Sequence, residues 1–182
     1  IIALVFLIQP PLVKIPSSIP TTTPSPIPVS TPTPEPTIDY EDLFIRSSFS
    51  INKQHNFGLF ETKIFRMGFY TYYNNISQQE ETKFRADIWV KNAGKANEDF
   101  NSFNGFIRQP PNQQYNVTQG GTFNGEDVVP GEERSGYILF ENVPRNLEGD
   151  IAVSIGTSLT YSTIFGIQSQ FPFLYEVVYL GE

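Results

Sequence analysis

Five pairs of adjacent carboxylates punctuate the sequence: Glu41-Asp42, Glu80-Glu81, Glu98-Asp99, Glu126-Asp127 and Glu132-Glu133. Two carboxyl groups held about 5–9 Å apart across a sugar ring can share the acid and base steps of glycosidic hydrolysis. Sequence neighbours in turns point to solvent instead, so these pairs are expected to be solvating charge. His55 is the single histidine, and cysteine is absent. A zinc site needs several nitrogen or sulfur ligands, and an activated nucleophile needs a neighbouring base. The stretch INKQHNFG reads as a loop, with His55 solvated. Asn124, Glu126 and Asp127 offer oxygen ligands of the kind calcium takes, but without the regular spacing of a calcium loop. No glycine-rich phosphate loop or G-x-S-x-G elbow is present. The expectation is a chain that is not an enzyme, with no catalytic residue, metal or cofactor.

Residues suited to binding or modification are easier to name. Asn75-Ile76-Ser77 and Asn116-Val117-Thr118 are N-glycosylation triplets, which make Asn75 and Asn116 candidate glycan acceptors. Trp89 falls on the polar face of its strand. It reads either as an amphipathic cover for that sheet or as an interface anchor, since tryptophan is enriched in binding hot spots. Tyr70, Tyr72 and Tyr73 form an aromatic run that suits core and edge packing better than sugar stacking.

Composition constrains the partners. The 182 residues carry a net charge of −7, and Lys14 and Glu35 cancel within the tail, so the excess belongs to the folded part. An acidic domain with no lysine or arginine cluster is unsuited to nucleic acid, which demands phosphate neutralisation. It is equally unsuited to anionic lipid headgroups.

Ten of the 15 prolines lie between Pro10 and Pro36, alternating with serine and threonine. Proline removes backbone donors and restricts the residue before it, so residues 10–37 are expected to be an extended linker of the O-glycosylated stalk type. At ~3.1 Å per residue such a segment reaches roughly 80 Å.

After Tyr40 the pattern has period two. FRADIWVKN sets Phe84, Ala86, Ile88 and Val90 against Arg85, Asp87, Trp89 and Lys91. DIAVSIGTSL sets Ile151, Val153 and Ile155 against Ala152, Ser154 and Gly156. FSINKQ, LFETKIFRMGFYTYY, GFIRQ, SGYILF and LYEVVYL are further strands, separated by turn chemistry such as Asn104-Gly105 and Pro130-Gly131. About seven to nine strands of this kind predict an all-β antiparallel sandwich over residues 38–182. One short helical turn opens near Asp39-Tyr40-Glu41-Asp42.

Three motifs carry a family resemblance. Val90-Lys91-Asn92-Ala93-Gly94 fits a V-x-N-x-G turn, and Pro130-Gly131-Glu132 fits P-G-E. Gly136, Phe140 and Pro144 follow G-x-x-x-F-x-x-P with one extra residue before the proline. In this order they resemble a secreted, lipoprotein-type domain of unknown function from bacteria and archaea, similar to extracellular antigens with an immunoglobulin-like β-sandwich. The resemblance covers about 70 residues well. It implies an extracellular, non-catalytic, immunoglobulin-like module and supplies no catalytic residues.

The segment 1–9 stands apart. Ile1, Ile2, Ala3, Leu4, Val5, Phe6, Leu7 and Ile8 are all apolar. A membrane-spanning helix needs ~20 such residues. The run reads as a strand donated to another copy of the chain, as the remnant of a signal or membrane anchor, or as a strand packed within its own chain. The expected protein is therefore extracellular, at the cell surface. It is a repeating structural subunit of a filament or layer joined through Ile1, Ile2, Leu4, Val5, Phe6, Leu7 and Ile8, and its partners are other copies of itself, with cell-surface components or glycans as further ones. The alternative is a surface-tethered binding module on a Pro/Thr stalk, with membrane contact only through an anchor at residues 1–9.

Overall fold

The computed structural model describes residues 38–123, 125–161 and 168–181. Segments 1–9 and 10–37, with the interface residues expected between Ile1 and Ile8, lie outside the described residues, as does Asn124. In chain order the elements are α1 (Tyr40–Ser47), β1 (Phe49–Phe57), β2 (Phe60–Asn74), β3 (Gln79–Asn92), β4 (Glu98–Asn101), β5 (Phe106–Gln109), β6 (Gln113–Thr118), β7 (Glu126–Val128), β8 (Glu133–Phe140), β9 (Gly149–Tyr161) and β10 (Gln168–Tyr179). A 3-10 turn, Ser102–Asn104, separates β4 from β5.

The alternation in β3 builds the core as expected. Phe84, Ala86, Ile88 and Val90 are buried, and β3 pairs antiparallel with β2 on one side and β8 on the other. One sheet runs β1-β2-β3-β8; the other pairs β9 with β10 on one edge and with β5 and β4 on the other. Strand β6 changes sheets. Gln113 to Asn116 pair with β5, whereas Val117 and Thr118 pair with Phe140 and Leu139 of β8. The molecule is thus an all-β antiparallel sandwich, stitched along one side by β6. Three strands keep an unpaired edge among the described residues: β1, β7 and β10.

Aromatic rings fill the space between the sheets. Phe60, Phe84, Phe100, Phe140, Phe173, Tyr175 and Tyr179 are fully buried. Phe100 stacks on Phe173 at 5.1 Å and meets Phe60 and Phe123 edge-on. Such offset and edge contacts are the favoured geometries of aromatic pairs. Across the layers, the Thr62 hydroxyl bonds the Tyr175 phenol. Burial is the main influence on Tyr175 and drives its pKa up to about 12.

Four expectations need correction. The described residues hold ten strands, not seven to nine, because β4 and β7 are only four and three residues long and carry little periodicity. His55 lies in β1 opposite Thr62 rather than in a loop, with its ring edge-on to Tyr175 at 5.0 Å. Ser154 and Gly156 are buried, although they alternate with the inward Val153 and Ile155. Strand β9 is central in its sheet, and the segment around Asn101 and Ser102 covers its outer face. A β-carbon on Gly156 would lie 2.6 Å from the Asn101 carbonyl oxygen, and its φ of +152° places it at the irregularity where β9 slips one residue against β10. The helical turn at Tyr40 extends to eight residues, capped by Asp39, whose Oδ1 accepts from the Glu41 and Asp42 amides.

The V-x-N-x-G and P-G-E motifs meet in space. Asn92 is fully buried; its Nδ2 donates to the carbonyls of Ala96 and Val128, at 2.8 and 2.7 Å, and its Oδ1 accepts from the Gly94 amide. Its backbone amide bonds Glu132, and its carbonyl accepts from Gly131. One side chain therefore ties the turn after β3 to the turn before β8. Asn92→Ala leaves two carbonyls without donors and is expected to cost about 2–4 kcal/mol, as a lower midpoint in urea unfolding followed by circular dichroism.

Candidate functional site

The polar face of β3 hides a buried charge. Arg85 alternates with the core residues and so points outward, yet it is only 4% exposed. Helix α1 lies over it. The guanidinium grips Glu41 with two parallel bonds of 2.7 Å and donates through Nε to Asp87 at 2.7 Å. Its flat faces meet the rings of Tyr137, Phe44 and Tyr70, with Cζ 4.0, 4.3 and 4.8 Å from the centroids. Arginine suits this position because it stacks on rings while its fork holds a carboxylate.

Opposite Arg85 on β2 sits Gly68. A β-carbon there would approach the Ser48 backbone to 3.0 Å, so the end of α1 rests on bare main chain. Burial opposes the Arg85 charge, but the bonds to Glu41 and Asp87 outweigh it and its pKa is raised. Burial lifts the Asp87 carboxyl above its ordinary value despite Arg85 and Arg66. This unit fixes the helix that follows the Pro-rich segment in the chain. The guanidinium is bonded to Glu41 and Asp87 within it, so it reads as architecture.

The carboxylate pairs scatter. Asp42 pairs with Arg46 at 2.8 Å, and Glu80 accepts from the Tyr40 hydroxyl. Glu81 accepts from Ser77, Tyr72 and Asn74 at the β2–β3 turn, in that order of influence on its lowered pKa. Burial and then the bond to Glu81 push Tyr72 to about 12. Glu132 accepts from Arg134 and from the Val129 amide. Asp99 faces Asp127 across the β4–β7 pair; burial first, then that charge, raises its pKa. Among the described residues no group of three or more histidine, aspartate or glutamate side chains is placed to hold a metal ion.

Asn75 is exposed in the β2–β3 turn beside Ile76, which is 95% exposed. Asn116 is exposed on β6, where its Oδ1 accepts from Gln114. Trp89 is half-buried on the outer face of β3, in register with Lys63 of β2 and Ser135 of β8. Tyr70 and Tyr72 stack at 5.5 Å, and Tyr70 belongs to the Arg85 cage. None of Asn75, Asn116 and Trp89 converges on another.

What sequence reasoning missed is the exposed outer face of β10. Phe173, Tyr175, Val177 and Tyr179 point inward, leaving Leu174, Val178 and Leu180 exposed at 41, 53 and 68%. The signal was LYEVVYL itself, with Glu176 its single charged residue in a strand buried on one face only. Beside this strand lies a recess of about 630 Å³, lined in part by Lys53, Ala152, Glu176 and Val178. A second, apolar recess of about 470 Å³ sits at the β1–β2 hairpin, between Phe57, Leu59, Phe171 and Phe173.

No protein-family model matches the sequence, and neither does any curated protein. Among solved structures, the yjhA protein of Bacillus subtilis is similar at 14% identity and a TM-score of 0.45, over 58% of this chain and 78% of that one. A functionally unknown protein from Listeria monocytogenes EGD-e is similar at 11% identity and a TM-score of 0.48, over 74% of this chain and 85% of that one.

Removing Arg85 strands the half-buried Asp87 and empties the cage. Arg85→Ala is expected to cost about 3–5 kcal/mol by denaturant unfolding. Glu41→Gln, at a half-exposed partner, is expected to cost much less. Glu81 has a lowered folded-state pKa, so its contribution is present above the unfolded value and lost as pH falls through the folded one. Glu81→Gln should flatten the acid limb of the stability curve below about pH 4.5 and leave the slope above it unchanged, as read by thermal unfolding across pH.

Proposed function

We propose that this chain is an extracellular structural protein, a repeating subunit of a cell-surface filament or layer joined through the apolar segment Ile1–Ile8. The observation that carries this reading is the sequence of that segment: eight apolar residues at the end of a Pro/Thr/Ser-rich linker, joined to a sandwich that leaves strand edges unpaired among the described residues. Burying a large aliphatic side chain contributes ~1.5–3 kcal/mol, so several together suffice for a lasting subunit contact after ordering costs. Exposed in isolation, the same run is an aggregation hazard. Glycans on Asn75 and Asn116, both exposed, belong to this reading.

Electron microscopy of the full chain tests it. Regular filaments or sheets are expected, and a chain lacking residues 1–9 should give none. Monodisperse monomers of the full chain would instead favour the tethered binding module, for which the apolar recess between Leu59 and Phe171 is the place to look.

A further inference from the structure

The recess beside β10 is lined by charges, and the one at the β1–β2 hairpin is apolar. A third recess, of about 380 Å³, is neither. It lies between the β5–β6 turn and the loop from β8 to β9, and its size falls within the ~300–1,000 Å³ of small-molecule sites. Prolines 110, 111 and 144 give it stiff apolar walls, and Tyr115 gives it one aromatic ring. Its polar lining is made of side-chain amides, among them Gln113, Asn142 and Asn146. Arg145 stands between Pro144 and Asn146 in the chain, but its guanidinium lies over the Phe69 ring, with Cζ 4.6 Å from the centroid.

The two walls are tied to each other and to the core. Gln109 and Gln113 pair across the base of the turn, and the Gln109 Nε2 donates to the Glu148 carbonyl on the opposite wall at 3.1 Å. On that wall the Glu141 amide donates to the Asn116 carbonyl of β6, and the amide of the fully buried Leu147 donates to the Pro144 carbonyl. Tyr115 packs against the core cluster. A site built before its ligand arrives loses little freedom on binding. Its amides are also open. The Tyr115 hydroxyl donates to the Gln113 Oε1 at 2.9 Å, which turns that amide and leaves its Nε2 available. Among the described residues, the side chains of Asn142 and Asn146 have no hydrogen-bond partner.

This lining selects a ligand by chemistry. An ion entering it would give up water and meet no opposite charge. A hydrocarbon would cover amides and leave them unpaired. A Pro-rich peptide takes its grip from an aromatic-lined groove, and a single ring lines this recess. A neutral saccharide fits. Each hydroxyl both donates and accepts, as each amide does, and the C–H face of the sugar ring is apolar enough to lie on Tyr115 and the prolines. We infer that this recess binds a neutral saccharide, with Gln113, Asn142 and Asn146 on its hydroxyls and Tyr115 under its ring. The assignment goes beyond the filament reading and stands whether or not the chain assembles.

Saturation-transfer NMR on the full chain tests it, since the method tolerates assemblies and reads which ligand protons touch protein. The probes are cellotriose, maltotriose and triacetylchitotriose at millimolar concentration, with trigalacturonate as the charged control. At least one neutral probe should receive saturation, strongest on its ring C–H protons, and the charged control should receive none. Asn142→Gly combined with Asn146→Ala removes two exposed amides without removing any printed contact, and glycine suits the φ of +56° at position 142. This variant should keep the circular dichroism of the parent and bind the same probe more than about tenfold more weakly. Failure of all three neutral probes to bind overturns the assignment, as does binding that the variant leaves unchanged or that trigalacturonate matches. A peptide of residues 21–33 that binds here when the trisaccharides do not would make the recess a peptide site and overturn it equally. If the variant unfolds, Gln113→Ala replaces it with the same expected loss.

Discussion

Two sheets of a cysteine-free chain are held together chiefly by apolar burial, and the rest of the structure answers to that constraint. With no disulfide to staple the layers, large rings supply the contact area. Phe60, Phe100 and Phe173 meet in the middle, and at the far end of β10 Tyr179 meets Phe84 and Phe49 edge-on. Rings bury much surface for few rotatable bonds, so they order the core at low entropic cost. Strand β6 closes one flank by pairing with both sheets. The opposite flank, between β1 and β10, is bridged by side chains: Phe49 on Tyr179, Phe57 on Phe173 and Tyr175, Lys53 on the Glu176 carbonyl.

That open flank is where architecture and proposed function join. A closed barrel would have no edges, whereas a sandwich must guard the ones it keeps. Here β1 is guarded by a bulge and polar side chains. β10 takes the Lys53 ammonium on its Glu176 carbonyl and leaves Leu174, Glu176, Val178 and Leu180 exposed.

The Arg85 cage is the second organising feature. It holds α1 against the outer face of β2, β3 and β8 through a charge, three rings and a bare glycine. A buried arginine is costly unless each donor is satisfied, and Glu41 and Asp87 satisfy it. The cage fixes the helix that opens the described domain. The Asn92 knot plays a similar part between β3 and β8, with a neutral amide in place of a charge.

Period-two alternation in FRADIWVKN and DIAVSIGTSL was enough to define strands and an antiparallel sandwich, because a side-chain period of two has one structural meaning. Turn chemistry located the breaks, and the absence of cysteine ruled out a disulfide framework. Other features were not legible. Strands β4 and β7 are too short to show a period. The burial of Ser154 and of Arg85 depends on what covers the second face of β9 and β3, and alternation describes only the first. His55 looked like a loop residue because its neighbours are polar, as the residues of an edge strand are. The three motif fragments were visible as turns, but only the fold brought Asn92 to Val128. The apolar run Ile1–Ile8 was legible as a run, but it lies outside the described residues. Which strands pair, and which edges stay unpaired among the described residues, was decided by tertiary structure, since pairing partners lie far apart in the chain and no local pattern records them.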